Sequence, residues 1–185
     1  MLSAPVWRGK TSYAWYGIGL LIGALGIASV GAALGGVVQG MVPRPARLAM
    51  IGILAAIVVV REAIPASLRI PENRRLVPEH ISAHGRVLGP LQFGFEMGTG
   101  VRTYSPSALP HLLFAALVLV VPPYGALPVA AGFASGRWIM AVVSNRYDDA
   151  GGWTDAWQLH RRPLAAMTSV GAVTALAIAV LALAP

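Results

Sequence analysis

Cysteine is absent from this chain of 185 residues. Without thiols the chain can form neither disulfides nor thiolate metal sites, and it cannot carry out a thiol redox step by itself. Charged residues are scarce as well: they make up 11% of the sequence, whereas a soluble domain carries about 25%. Hydrophobic residues reach 56%. These proportions indicate a membrane protein rather than a soluble globular one.

Acidic residues are few, seven against fourteen basic ones, and the net charge is +7. A basic chain can indicate a nucleic-acid partner. Here, however, most arginines lie between apolar runs, where the positive-inside rule of membrane proteins places them. We therefore predict a lipid bilayer as the partner and no nucleic acid.

Familiar catalytic signatures are missing too. The sequence contains no H-E-x-x-H, G-x-S-x-G or phosphate-loop pattern, so we predict no enzyme, no catalytic residues and no cofactor. His80 and His84, with Glu79 beside the first, have a spacing that could hold a metal on a helical turn. A third ligand is lacking, and a solvated loop without a metal site is the favoured interpretation.

Apolar runs dominate what is present, and a bilayer span needs about 20 such residues. We predict an all-α polytopic membrane helix bundle that forms a single domain with about five transmembrane segments, at residues 17–39, 48–62, 87–121, 124–143 and 164–184. Polar loops are predicted at 63–86 and 144–163. With the amino terminus inside, ten basic residues face the cytoplasm and Arg44 and Arg47 oppose them. This bias predicts a cytoplasmic amino terminus in the plasma membrane.

The third segment, residues 87–121, is the unusual one. As a single helix its 35 residues would reach about 50 Å, well beyond a hydrocarbon core of about 30 Å. Pro106 and Pro110 predict a break or bend near Ser105 to Pro110. Whether this broken element crosses once or turns back as a re-entrant hairpin stays open.

Glycines recur at four-residue spacing in the first and fourth segments. The spacing places small residues on one helix face and favours close approach of another backbone; a thin wall beside a substrate path is the alternative. The pairs are Gly19 with Gly23, Gly31 with Gly35, Gly36 with Gly40, and Gly132 with Gly136.

Three charged residues fall well inside the predicted spans, away from their ends: Glu96, Arg102 and Arg137. Such residues usually pair or line a wet cavity, because a charge near the bilayer centre costs about 2.5 to 3.5 kcal/mol. Glu96 and Arg137 could form a structural pair. Alternatively, Glu96 and Arg102 belong with His111 to a proton or anion route. The candidate substrate-binding residues are therefore Glu96, Arg102, Ser105, Ser107, His111 and Arg137, although both serines could instead bond carbonyls freed by the prolines.

Two stretches, Gly94–Gly98 and Ser105–Pro110, resemble the cytochrome c biogenesis transmembrane electron carriers, the CcdA and DsbD group. That family has a glycine-rich start followed by S-P-C-x-L-P in a bent helix, and Ser107 stands where its electron-carrying cysteine would be. A hydroxyl cannot form a disulfide, so thiol exchange is excluded. The resemblance implies a related scaffold used for another task, such as export of a small solute or assistance to a partner.

Three hypotheses follow. The first is a small transporter whose path for a solute or ion runs past the broken helix. The second is a non-catalytic accessory or assembly subunit whose glycine faces dock a larger membrane protein. The third and least favoured is an intramembrane enzyme. Five spans are few to enclose a path, so a homodimer is also expected.

Overall fold

The computed structural model is helical throughout the part of the chain that it describes, with no strand there. It describes residues 9–63, 81, 84–100 and 108–144, and individual positions between 152 and 174. The predicted all-α class is confirmed for these residues. The helices are α1 (Lys10–Met41), α2 (Arg44–Ala63), α3 (Gly85–Thr99), α4 (Leu109–Leu119) and α5 (Ala126–Ser144), with a 3₁₀ turn at Pro123–Gly125 before α5.

Two described segments are long and apolar enough to cross a membrane: α1, and Pro123–Ser144, which joins the 3₁₀ turn to α5. α2 does not meet the same condition, since its 20 residues include Arg44, Arg47 and Arg61. Most of the predicted last span, 164–184, and most of the predicted loops, 63–86 and 144–163, lie outside the described residues. The count of five spans stays a prediction.

The first two helices begin earlier than predicted. α1 starts at Lys10 instead of residue 17, and its 32 residues extend about 48 Å. No proline or glycine interrupts the residues between Lys10 and Gly17. α2 starts at Arg44, not at residue 48, because Pro45 lies in its first turn, where the missing N–H has no helical acceptor to lose.

The predicted third segment is divided between two short helices. α3 ends at Thr99, and Gly100 follows in the left-handed conformation with φ 65°. α4 begins at Leu109 with Pro110 in its first turn. Their 15 and 11 residues give lengths of about 22 and 16 Å, so neither crosses a hydrocarbon core of about 30 Å alone. Residues 101–107, which include part of the predicted break, lie outside the described residues.

Contacts divide the chain into two compact units, each containing one part of α1. The first unit combines α1 up to Ile27 with α3 and with α5 from Leu127 onward. The second unit combines α1 from Ala28 onward with α2 and α4.

In the first unit, α1 and α3 run parallel and touch through glycines on both helices. A Cβ atom added to Gly19 would collide with the main chain of Leu91, and one added to Gly94 would collide with the main chain of Tyr16. Gly23 and Gly98 repeat this relation one turn further along. The close packing predicted from the spacing of Gly19 and Gly23 is therefore confirmed.

In the second unit, α4 packs on α1 and α2. A Cβ atom at Gly31 would lie 3.1 Å from Cβ of Leu117. The buried apolar cluster joins α2 to α4 and consists of Ile51, Ala55, Val58, Ala108, Leu112, Ala116 and Leu119. A short helix is thereby held along its length by two longer ones.

Candidate functional site

The candidate site is built from backbone carbonyls that lack a helical donor and the polar side chains that reach them. Pro90 lies inside α3 and has no N–H, so the carbonyl of Arg86, four residues earlier, loses its usual partner. Ser12 of α1 supplies one: its hydroxyl donates to the Arg86 oxygen at 3.2 Å. The Ser12 side chain is only 2% exposed, so its hydroxyl depends on this carbonyl for a hydrogen bond.

The carboxyl end of α3 is capped by three different groups. The Thr99 hydroxyl donates to the Glu96 oxygen at 2.8 Å. The Met97 oxygen accepts from the Gly100 N–H at 3.3 Å and from Nη1 of Arg137 at 3.0 Å. Helix ends leave such carbonyls unpaired, and a left-handed glycine is a common way to satisfy part of them. Here an arginine from α5 completes the cap.

Arg137 lies half-buried in α5, seven residues before its end. Besides the Met97 oxygen, its guanidinium contacts the Met97 sulfur, with Nη1 3.8 Å from Sδ. Its Cζ also lies 5.0 Å from the centroid of the Phe133 ring. The helix end, the thioether and the ring face all favour a cation. The described contacts of the guanidinium are thus with dipoles and with a π face.

Aromatic residues fix α5 against α1 close to Arg137. The indole N–H of Trp138 donates to the Tyr13 oxygen at 3.1 Å. Gly17 allows this approach, because a Cβ there would lie 3.0 Å from Cδ1 of the indole. Tyr16, 2% exposed, stacks on Phe93 of α3 with ring centroids 5.5 Å apart. The first contact holds α5 against α1 and the stack holds α3 against α1, so that Arg137 reaches the end of α3.

The carboxyl end of α4, in the second unit, has its own donors. Nε2 of Gln39 lies within hydrogen-bond distance of three carbonyl oxygens, and the shortest of these contacts is 3.0 Å, to Val121. Nη1 of Arg47 donates to the Leu119 oxygen at 2.8 Å, while its Nε donates to the Val42 oxygen at 3.0 Å. Both short helices therefore end on an arginine that belongs to another helix.

The predicted site residues are distributed over both units. Glu96 is half-buried on α3 in the first unit, beside the Met97 carbonyl that binds Arg137. The ion pair between Glu96 and Arg137 stays a prediction, because the contacts described for Arg137 are with Met97 and Phe133. His111 is exposed on α4 in the second unit. Three candidates lie outside the described residues: Arg102, Ser105 and Ser107.

Sequence reasoning missed three backbone donors: Ser12, Gln39 and Arg47. A signal for Ser12 exists in Pro90, whose ring leaves the carbonyl four residues earlier in need of a donor. That requirement does not say which helix supplies the hydroxyl. Gln39 and Arg47 lie where α1 ends and α2 begins, and sequence patterns give no indication that the end of α4 is close to them.

The described arrangement anchors the end of α3 and the end of α4 by side chains from longer helices. Such anchoring suits helices that stop within an apolar environment, where every freed carbonyl needs a protein donor. No protein-family model matches the chain, and no curated protein or solved structure matches it at a significant level.

Proposed function

We propose that this protein is a small integral membrane transporter that moves a small solute or ion past the broken element predicted at residues 87–121. It works without an enzymatic step, in the plasma membrane and with a cytoplasmic amino terminus. The observation that carries the proposal is the interruption itself: α3 ends at Thr99, α4 begins at Leu109, and neither is long enough to cross a bilayer.

Discontinuous helices support transport because their ends present main-chain dipoles near the middle of a membrane. Both carboxyl ends here are closed by side chains, at Met97 and at Leu119. We infer that Glu96 and Arg102, the charged residues predicted to lie beside the break, interact with the solute. The resemblance of Gly94–Gly98 and Ser105–Pro110 to the CcdA and DsbD group supports a carrier scaffold, with thiol chemistry excluded by the absence of cysteine.

The test is a flux assay on purified protein in lipid vesicles. Protons are followed with a trapped pH indicator, and chloride is followed with a chloride-sensitive dye. We expect flux above that of empty vesicles, and a loss of at least about tenfold, equivalent to about 1.4 kcal/mol, in Glu96→Gln and Arg102→Gln. Asp155→Asn and Lys10→Gln, which change exposed residues of the same charge type, serve as matched controls and should keep the flux. Flux that survives both site substitutions would refute the proposed path.

A second candidate, an accessory subunit of a membrane complex, is favoured by one specific observation. Around Gly132 and Gly136 of α5, an added Cβ would find no described atom within 4 Å, so this glycine pair is not used for packing among the described residues. A partner helix could approach there. Vesicles without any flux, together with a membrane protein that co-purifies with the native chain and is lost on Gly136→Leu, would favour this function over transport.

A further inference from the structure

The carboxyl end of α3 has the properties of a cation site. The last carbonyls of a helix lack donors and carry about half a negative charge. Here the Met97 oxygen receives a hydrogen bond from its own cap residue, Gly100, at 3.3 Å and still accepts Arg137 at 3.0 Å. The Met97 sulfur and the Phe133 ring stand beside the same guanidinium. These groups favour a positive charge, and none of them carries a formal charge of its own.

We propose that the guanidinium of Arg137 occupies a cation site at the end of α3. In other discontinuous helices, such a site binds a free ion from solution. Transport proteins use unwound carbonyls and half-helix carboxyl ends to hold ions such as Na⁺. In this chain the ion is covalently attached through the arginine stem, and it cannot dissociate with a solute.

The second unit supports the assignment independently. The end of α4 also accepts from an arginine, Nη1 of Arg47 to the Leu119 oxygen at 2.8 Å. The two arginines come from different helices, and they reach short helices that belong to different units. An arginine thus donates to the end of each short helix, which argues against a chance contact of one long side chain.

The ligand class follows from the groups present. A calcium or magnesium ion needs several oxygen ligands, whereas the described residues around the guanidinium offer the Met97 carbonyl, a thioether and a ring face. A planar guanidinium donates to the carbonyl and stacks over the ring at the same time. If the arginine were removed, the emptied site would therefore select guanidinium or methylguanidinium over sodium ions.

The experiment is chemical rescue of Arg137→Ala in the full-length protein, with the melting temperature in detergent as the readout. We expect Arg137→Ala to melt about 5 to 10 °C below the native chain. Millimolar guanidinium chloride should restore at least half of that loss and reach saturation, while choline chloride and sodium chloride at equal ionic strength should not. A native chain that responds to guanidinium as strongly as the variant, or a folded variant that no guanidinium ion stabilises, would overturn the proposal.

Two further variants separate charge from volume and keep the test decisive if Arg137→Ala does not fold. Arg137→Lys retains a tethered cation and should melt closer to the native chain than Arg137→Met, which fills similar space without charge. Arg137→Met should also resist rescue, because its side chain occupies the site. A methionine variant as stable as the native chain would assign Arg137 to packing alone. Since the readout is stability and not flux, the result does not depend on whether the protein transports a solute.

Discussion

The interlocked glycines of α1 and α3 give the sharpest prediction, because α1 contains a matched control. A Cβ atom at Gly23 would collide with the Phe95 oxygen and would lie 2.9 Å from the Thr99 nitrogen. At Gly26, three residues later on the same helix, nothing described lies within 4 Å. Gly23→Ala and Gly26→Ala are thus the same chemical change in two surroundings.

The magnitude follows from the distances. Ordinary contact of a Cβ begins near 3.4 Å, so relief of the Thr99 nitrogen alone requires α3 to shift by at least about half an ångström. Forcing one extra carbon into a close-packed contact costs about 1 to 3 kcal/mol. Alanine is also the better helix former by about 1 kcal/mol, but this gain applies to both variants and cancels in their difference. We expect Gly23→Ala to be less stable than Gly26→Ala by about 1 to 3 kcal/mol.

Thermal unfolding in detergent, followed by circular dichroism, measures this difference. For a chain of this size, 1 kcal/mol corresponds to about 2 to 4 °C, so Gly23→Ala should melt about 2 to 12 °C below Gly26→Ala. Gly26→Ala itself should melt at or slightly above the native temperature. If the two variants melted together, the backbones of α1 and α3 would not be in contact, and the account of the first unit would be wrong.

Three other substitutions test the side chains that serve backbone carbonyls. Ser12→Ala leaves the Arg86 oxygen without its donor, so the free energy of unfolding, measured by chemical or thermal denaturation, should fall by about 1 to 3 kcal/mol. Ser12→Thr keeps the hydroxyl and should lower it less. Gln39→Leu removes the contact to the Val121 oxygen and should lower the free energy of unfolding by a similar amount. A variant as stable as the native chain would show that this contact does not stabilise the end of α4. Trp138→Phe loses the 3.1 Å hydrogen bond to the main chain but keeps an aromatic ring. The free energy of unfolding should therefore fall by about 1 kcal/mol. A larger decrease would show that the size of the indole matters more than its hydrogen bond.

The glycine pairs show what a sequence pattern can and cannot predict. Gly19 with Gly23 and Gly132 with Gly136 have the same four-residue spacing, yet the first pair meets a neighbouring backbone while the second meets no described atom within 4 Å. Spacing places small residues on one face, but it carries no information about whether a helix lies opposite. What distinguishes the first pair is that its partner helix, α3, carries a glycine pair of its own, Gly94 with Gly98. The sequence shows that spacing as well, but it does not show that α3 packs against α1.

The position of the interruption was predictable only in part. Pro106 and Pro110 predict a break near Ser105 to Pro110, which lies partly outside the described residues, and α3 ends before it at Thr99. Gly100 accounts for this, since glycine adopts the left-handed conformation of a helix cap without steric cost. Pro90, by contrast, lies inside α3, where a proline would be expected to disturb the helix. The sequence does not reveal that a hydroxyl on α1 compensates for the missing bond.

The sequence predicts a solute site from polar residues inside apolar helices, whereas several polar residues of the described helices donate to backbone carbonyls. In an apolar environment an unpaired carbonyl costs several kcal/mol, so each interruption of a helix requires a donor. Ser12 serves the carbonyl freed by Pro90, Arg137 serves the end of α3, and Gln39 and Arg47 serve the end of α4. A solute path must then use polar groups beyond these four. Substituting the donors should destabilise the fold. Glu96→Gln keeps the size of the side chain and its capacity for hydrogen bonds, so it should reduce flux more than it reduces the melting temperature. A matched loss of flux and stability in Glu96→Gln would place that carboxylate among the structural groups and would remove it from the proposed path.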